Sequence, residues 1–136
     1  VYAEEGFHFR FENMTMTGRW DRVDEFDGQA YITDYKASEV EDQDQANVRA
    51  RDSKQLRIYA WAYQERFGRP VNGWRLHFLE SGVIGEATHK ERYLEKVRAE
   101  VRAAAAGIRS RDYHPEPSAF VCPHCAFQDI CPAAER

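Results

Sequence analysis

An α/β fold, a mixed sheet built around one hairpin and flanked by two long helices, is predicted by three observations. Apolar and polar residues alternate in several short segments, apolar residues recur at helical spacing in two longer ones, and Asp27-Gly28 forms a two-residue turn between two of the alternating segments. A chain of 136 residues has room for one core, so a single domain over 1–136 is expected.

Phe7, Phe9 and Phe11 alternate with His8, Arg10 and Glu12, the pattern of a half-buried strand. A second strand is predicted over 15–25 and a third over 29–37, with Asp27 and Gly28 between them. Leu56, Tyr59, Ala60, Tyr63 and Phe67 recur at helical spacing, which predicts one helix over 47–67, ended by Gly68 and Pro70. Trp74, Leu76 and Phe78 alternate again, and Ser81-Gly82 turns the chain into a short strand over 83–87. Leu94, Val97, Val101, Ala104 and Ile108 mark one face of a second long helix. From His114 onward, Pro115, Pro117 and Pro123 punctuate a segment, 114–136, that carries all three cysteines.

The composition, 43% hydrophobic, 13% aromatic and 31% charged, is that of a globular protein and excludes a disordered chain. No apolar run approaches the roughly 18 residues of a membrane span, and no signal peptide opens the chain, so a cytoplasmic protein without a membrane partner is expected. A net charge of −4 lends no support to nucleic-acid binding. A bound divalent cation, or a basic tract elsewhere in a longer protein, would change that balance. Val1 leads without a Met into strand-like sequence, which predicts that the chain is a piece of a larger protein.

The turn at Asp27-Gly28 pairs residues whose numbers sum to 55, so that Asp21 falls opposite Asp34. Carboxylates so placed have β-carbons about 4.5–5.5 Å apart and repel unless neutralised. A divalent cation of the Mg²⁺ type is one neutraliser, with Lys36 on the same face. Solvated carboxylates ion-paired to Arg19 and Lys36 are the other reading. The same register pairs Val23 with Ile32 and sets Trp20 against Tyr35. Gln55 and Tyr59, one turn apart, read from spacing alone as a solvated residue beside a core residue. Arg49, Arg51, Lys54 and Arg57 form either a phosphate-binding group or a solvated charged face.

Cys122, Cys125 and Cys131 read as a metal site rather than disulfides. Taken alone they favour structural zinc, with His114 a better fourth ligand than His124, which lies inside the CxxC. His8, His77 and His89 read as ordinary strand or loop histidines.

The string Gly18, Arg19, Trp20, Asp21, Arg22, Val23, Asp24, followed after the turn by Asp34, Tyr35 and Lys36, resembles the RecB-like branch of the PD-(D/E)XK nuclease superfamily. That branch is found fused to UvrD-type helicases, in AddB-like subunits and in CRISPR-associated exonucleases. Gln55, Leu56 and Tyr59 are similar to its third motif, and Cys122, Cys125 and Cys131 to its C-terminal iron-sulfur cysteines. The likeness runs from Phe7 to Pro132.

The resemblance implies a restriction-endonuclease-like mixed sheet whose N-terminal part is missing here. It makes Asp21, Asp34 and the Tyr35 carbonyl ligands of Mg²⁺ or Mn²⁺. Lys36 becomes the residue that polarises the attacking water and stabilises charge on the phosphate, with Gln55 and Tyr59 orienting water, Lys36 or the DNA backbone. The three cysteines become ligands of a [4Fe-4S] cluster in the intact protein, its fourth cysteine lying upstream near a helix that also supplies a His ligand. Zinc is the alternative in this chain.

The implied activity is metal-dependent hydrolysis of DNA, with exonuclease action favoured by the resemblance and endonuclease action left open. The chain would be the C-terminal part of an ATP-dependent helicase or helicase-nuclease in DNA repair and recombination. DNA and a helicase motor are the implied partners; no GK[ST] phosphate loop occurs in these residues, so the motor rests on the resemblance alone. A stand-alone exonuclease of the CRISPR-associated type, or a catalytically silent DNA-binding or scaffold module with a zinc or iron-sulfur clasp, are the alternatives.

Overall fold

The computed structural model describes residues 1–135. They fall into two compact units, the first ending at Glu100 and the second beginning at Val101. The first holds five strands in the order β1 (Tyr2–Phe11), β2 (Met14–Phe26), β3 (Gln29–Lys36), β4 (Gly73–Phe78) and β5 (Ile84–Thr88). All neighbours are antiparallel except β3 and β4, which run parallel. The crossover between those two carries α1 (Gln43–Asp52) and α2 (Lys54–Phe67), and α3 (Glu91–Arg109) follows β5. The fold is thus α/β with an open mixed sheet, as the restriction-endonuclease-like expectation requires.

The hairpin register is the predicted one, with Val23 opposite Ile32 and Phe26 opposite Gln29. Asp27 and Gly28 both adopt positive φ, 49° and 74°, as a type I′ two-residue turn demands. Two details depart from the expectation. The β2–β3 ladder stops at Arg22 and Thr33, and on the other side of β2 the pair Glu4 and Asp21 is skipped. Glu4 has φ of 50°, and the alternation slips there, so that Trp20 and Val23, three residues apart, are both buried. Trp20 therefore does not lie against Tyr35. It packs against Phe7, Tyr63 and Phe67, and its indole N–H donates to the Tyr59 carbonyl at 3.0 Å.

The single helix expected over 47–67 is two. Ser53 is extended (φ −65°, ψ 109°), and its hydroxyl accepts from the Leu56 N–H, starting α2 afresh. α1 begins earlier than expected, at Gln43, capped by the Asp42 side chain. Its buried residues are only Ala46 and Ala50, too small to give a hydrophobic signal. They allow close packing: a Cβ at Gly85 of β5 would lie 2.1 Å from the Ala46 carbonyl oxygen. α2 ends at Gly68, in left-handed conformation, as predicted.

The core holds Trp20, Val23, Ile32, Leu56, Trp61, Tyr63, Trp74, Phe78, Leu94 and Val97. Trp74 ties the layers together, donating to the Ala50 carbonyl of α1 at 2.8 Å and meeting Tyr93 of α3 edge-on. In α3 the expected apolar face is buried only at Leu94 and Val97; Ala104 and Ile108 are exposed. Within the second unit a 3₁₀ turn, Cys122–His124, precedes a run of turns. No helix among the described residues is long and apolar enough to cross a membrane.

Candidate active site

The sheet changes pairing mode at β3, antiparallel to β2 on one side and parallel to β4 on the other. Asp34 and Lys36 lie near the C-terminal end of that central strand, where the β4 ladder still runs to Phe78 but the β2 ladder has ended. The Tyr35 N–H, freed from strand pairing on the β2 side, donates instead to Asp21 Oδ2 at 3.0 Å. The slip at Asp21 thus turns a pairing position into a side-chain bond.

Asp34 is 2% exposed. Burial pushes its carboxyl above the usual range, and the neighbouring Asp21 carboxylate adds to the shift while Lys36 opposes it. Lys36 Nζ lies 2.8 Å from Asp34 Oδ2, yet that oxygen has no donor aligned for a hydrogen bond. The same ammonium donates to Gln55 Oε1 at 2.9 Å, and Gln55 Nε2 donates to the Tyr59 hydroxyl at 2.9 Å. A chain of contacts therefore runs from Asp34 through Lys36 and Gln55 to Tyr59, with Asp21 beside it. Five residues spread over 39 positions of sequence meet at one place. Ser53, in which the sequence alone showed no role, makes this possible. By starting a new helix two residues before Gln55, it aims the first turn of α2 at the end of β3. The signal was present as a serine three residues before the first core leucine.

Two carboxylates, one buried with an oxygen lacking a hydrogen bond, and the adjacent Tyr35 carbonyl make an all-oxygen donor set. That set fits a hard cation such as Mg²⁺ or Mn²⁺, and Mg²⁺ normally retains water beside one or two carboxylates. Among the described residues, no three His, Cys, Asp or Glu side chains converge. That holds for the cysteines too. Cys122, Cys125 and Cys131 are free thiols, buried, exposed and half-buried respectively, and the His114 imidazole bonds to Asp112 instead.

No curated protein matches the sequence. The crystal structure of SSO0001 shares the fold, with a TM-score of 0.59 at 17% identity. That likeness covers 99% of this chain and 62% of the other, so the chain spans about three fifths of that protein's length. Residues 1–132 match the model of the PD-(D/E)XK nuclease superfamily, and the chain belongs to that superfamily.

Proposed function

We propose that the chain is the metal-dependent DNA nuclease module of a longer protein of the RecB-like branch, hydrolysing phosphodiester bonds at the end of β3. The observation that carries this reading is the convergence of Asp21 and Asp34 with Lys36 bound to Asp34. A half-buried carboxylate set beside a buried one destabilises the fold through like-charge repulsion, and a bound cation would compensate it.

Asp21, Asp34 and the Tyr35 carbonyl would hold Mg²⁺ or Mn²⁺. When bound, the cation supplies Lewis-acid polarisation of the scissile phosphate and lowers the pKa of water. Lys36 donates one of its three ammonium protons to Gln55 and is ion-paired to Asp34 without an aligned hydrogen bond, which leaves donor capacity for the substrate phosphate or the attacking water. Gln55 holds that ammonium in place, and Tyr59 fixes the Gln55 amide in turn. Asp34 itself sits on the central strand, which leaves its carboxylate little freedom to move.

Exonuclease action, a helicase partner and an iron-sulfur cluster held by Cys122, Cys125, Cys131 and an upstream cysteine belong to the same proposal through the RecB-like motifs. The test is cleavage of a labelled oligonucleotide by the intact protein with Mg²⁺, Mn²⁺ or EDTA. Cation-dependent cleavage that is lost in Asp34→Asn supports the reading; cleavage in EDTA, or in Asp34→Asn, refutes it. Inactive wild-type protein that still binds DNA selects the silent-module alternative.

A further inference from the structure

On the far side of α2 from Gln55 lies a second group of charges that the catalytic chain does not use. Arg51, Asp52, Arg57, Arg92, Tyr93 and Lys96 line a concavity of about 330 Å³ between the end of α1, the start of α2 and the first turns of α3. Four cations face the one carboxylate of Asp52, in a chain whose net charge is −4. Such a local excess of one sign in a concave wall focuses the field.

The arrangement is built rather than merely solvated. Arg57 is 6% exposed, and its Nε and Nη2 both donate to the Arg51 carbonyl, at 3.0 and 2.7 Å. Its guanidinium carbon sits 4.5 Å from the centre of the Tyr93 ring. These contacts fix a planar cation at the wall of the concavity, and a guanidinium held so loses little entropy on meeting a phosphate. Arg92 lies 5.2 Å from the same ring. Among the described residues neither Arg92 nor Lys96 makes an ion pair, so two exposed cations stand beside the fixed one. The Tyr93 hydroxyl is pushed below its usual range, first by the hydrogen bond from Arg92 and further by Lys90, Arg92 and Arg51, as a positive local field requires.

We propose that this trough is a second phosphate site, holding a backbone phosphate of the bound nucleic-acid strand a few nucleotides from the bond being cut. The identity of its ligand rests on the nuclease reading above. Gln55 and Arg57 are two residues apart on one helix, about 3 Å in rise and on opposite sides of a cylinder about 10 Å across. A strand held at both places crosses the first turn of α2, where Lys54 is exposed. The trough supplies part of the basic track whose absence from the overall charge counted against nucleic-acid binding.

The experiment measures binding of a 20-nucleotide single strand to the intact protein in EDTA, across a salt series, so that affinity is read without cleavage. Arg92→Ala/Lys96→Ala removes two exposed cations. The slope of log K against log salt should fall by about 1.4, and affinity at 0.1 M salt by about 25-fold, at roughly 0.7 for each phosphate no longer neutralised on a single strand. Arg10→Ala, on the exposed side of β1, removes the same type of charge elsewhere and should leave the slope as it is. A double variant with wild-type slope and affinity overturns the proposal, and so does a double variant that no longer binds pyrophosphate but binds the oligonucleotide as wild type does. Wild-type protein that binds the strand in EDTA but never cuts it with Mg²⁺ refutes the nuclease reading alone, and the slope still decides the trough. Wild-type protein that binds no strand refutes both.

Discussion

Replacing Asp34 by Asn separates the cost of the site from its use. The change keeps shape and removes a buried negative charge that sits beside Asp21. Its carboxyl is raised above the ordinary 3.8, so between that value and the raised one the folded state binds more protons than the unfolded. Metal-free wild-type stability therefore falls as pH rises through that window, and the full cost is present once the pH exceeds the raised value. Asp34→Asn lacks this term, so without metal it should melt higher than wild type above that window, and the gap should narrow on acidification through it. With metal the order reverses. A cation at 100 times its Kd stabilises the folded state by about 2.7 kcal/mol. For 136 residues at about 2.1 cal/mol/K each, that is a rise in Tm of about 9 °C. Calorimetry or dye-monitored melting in EDTA and in a Mg²⁺ or Mn²⁺ series, at pH 4 to 8, reads both effects. A metal-induced shift in Asp34→Asn equal to that of wild type would refute the assignment of the cation to this carboxylate. A variant less stable than wild type in EDTA above that window would refute the argument about its buried charge.

Lys36→Ala should lower cleavage by about 10²–10³-fold, the usual loss when one charge-stabilising donor is removed, with the circular dichroism spectrum unchanged. Gln55→Ala should cost about 10- to 100-fold through a loosened Lys36, and Tyr59→Phe less, because Gln55 keeps its bond to Lys36; equal losses in single-turnover assays would contradict that order. Gly85→Ala should lower Tm, since the new methyl meets the Ala46 carbonyl oxygen and α1 must shift, at a cost of about 1–3 kcal/mol; an unchanged melt would show that α1 moves freely. Metal analysis of this chain by itself should find no stoichiometric cluster, because three thiolates leave one iron of a cubane without its usual ligand. A full four-iron cluster would contradict this, whereas one tightly held zinc would move Cys122, Cys125, Cys131 and His114 into a structural zinc site.

The hairpin was legible because its turn chemistry and its alternation point to one register: Asp27-Gly28 admits only a tight turn, and Val23 and Ile32 must face the core together. The Trp20–Tyr35 pair failed because alternation is local: it breaks in β2 between Trp20 and Val23, beside left-handed Glu4 on β1, and the β2–β3 ladder ends at Arg22 and Thr33. No side-chain pattern in β2 announces that break. The break at Ser53 was hidden by the apolar periodicity of the helices around it, since α1 buries only alanines and so sets no phase of its own. The basic trough was half visible: Arg51 and Arg57 stood out in the sequence, but Arg92, Tyr93 and Lys96 come from a helix about 40 residues away, and only packing against Trp74 brings them near.

The bond from the Tyr35 amide to Asp21 makes one carboxylate serve two structures at once. Where the ladder ends, Asp21 acts as the missing neighbour of β3, so removing it frays the end of the β2–β3 ladder as well as the site. Asp21→Ala therefore confounds lost chemistry with an amide left to water, whereas Asp21→Asn keeps an acceptor and changes only the charge. The Tyr35 amide proton is in consequence a built-in reporter: its chemical shift and exchange rate follow the hydrogen bond to Asp21, and they should register a cation arriving at the site before any bond is broken.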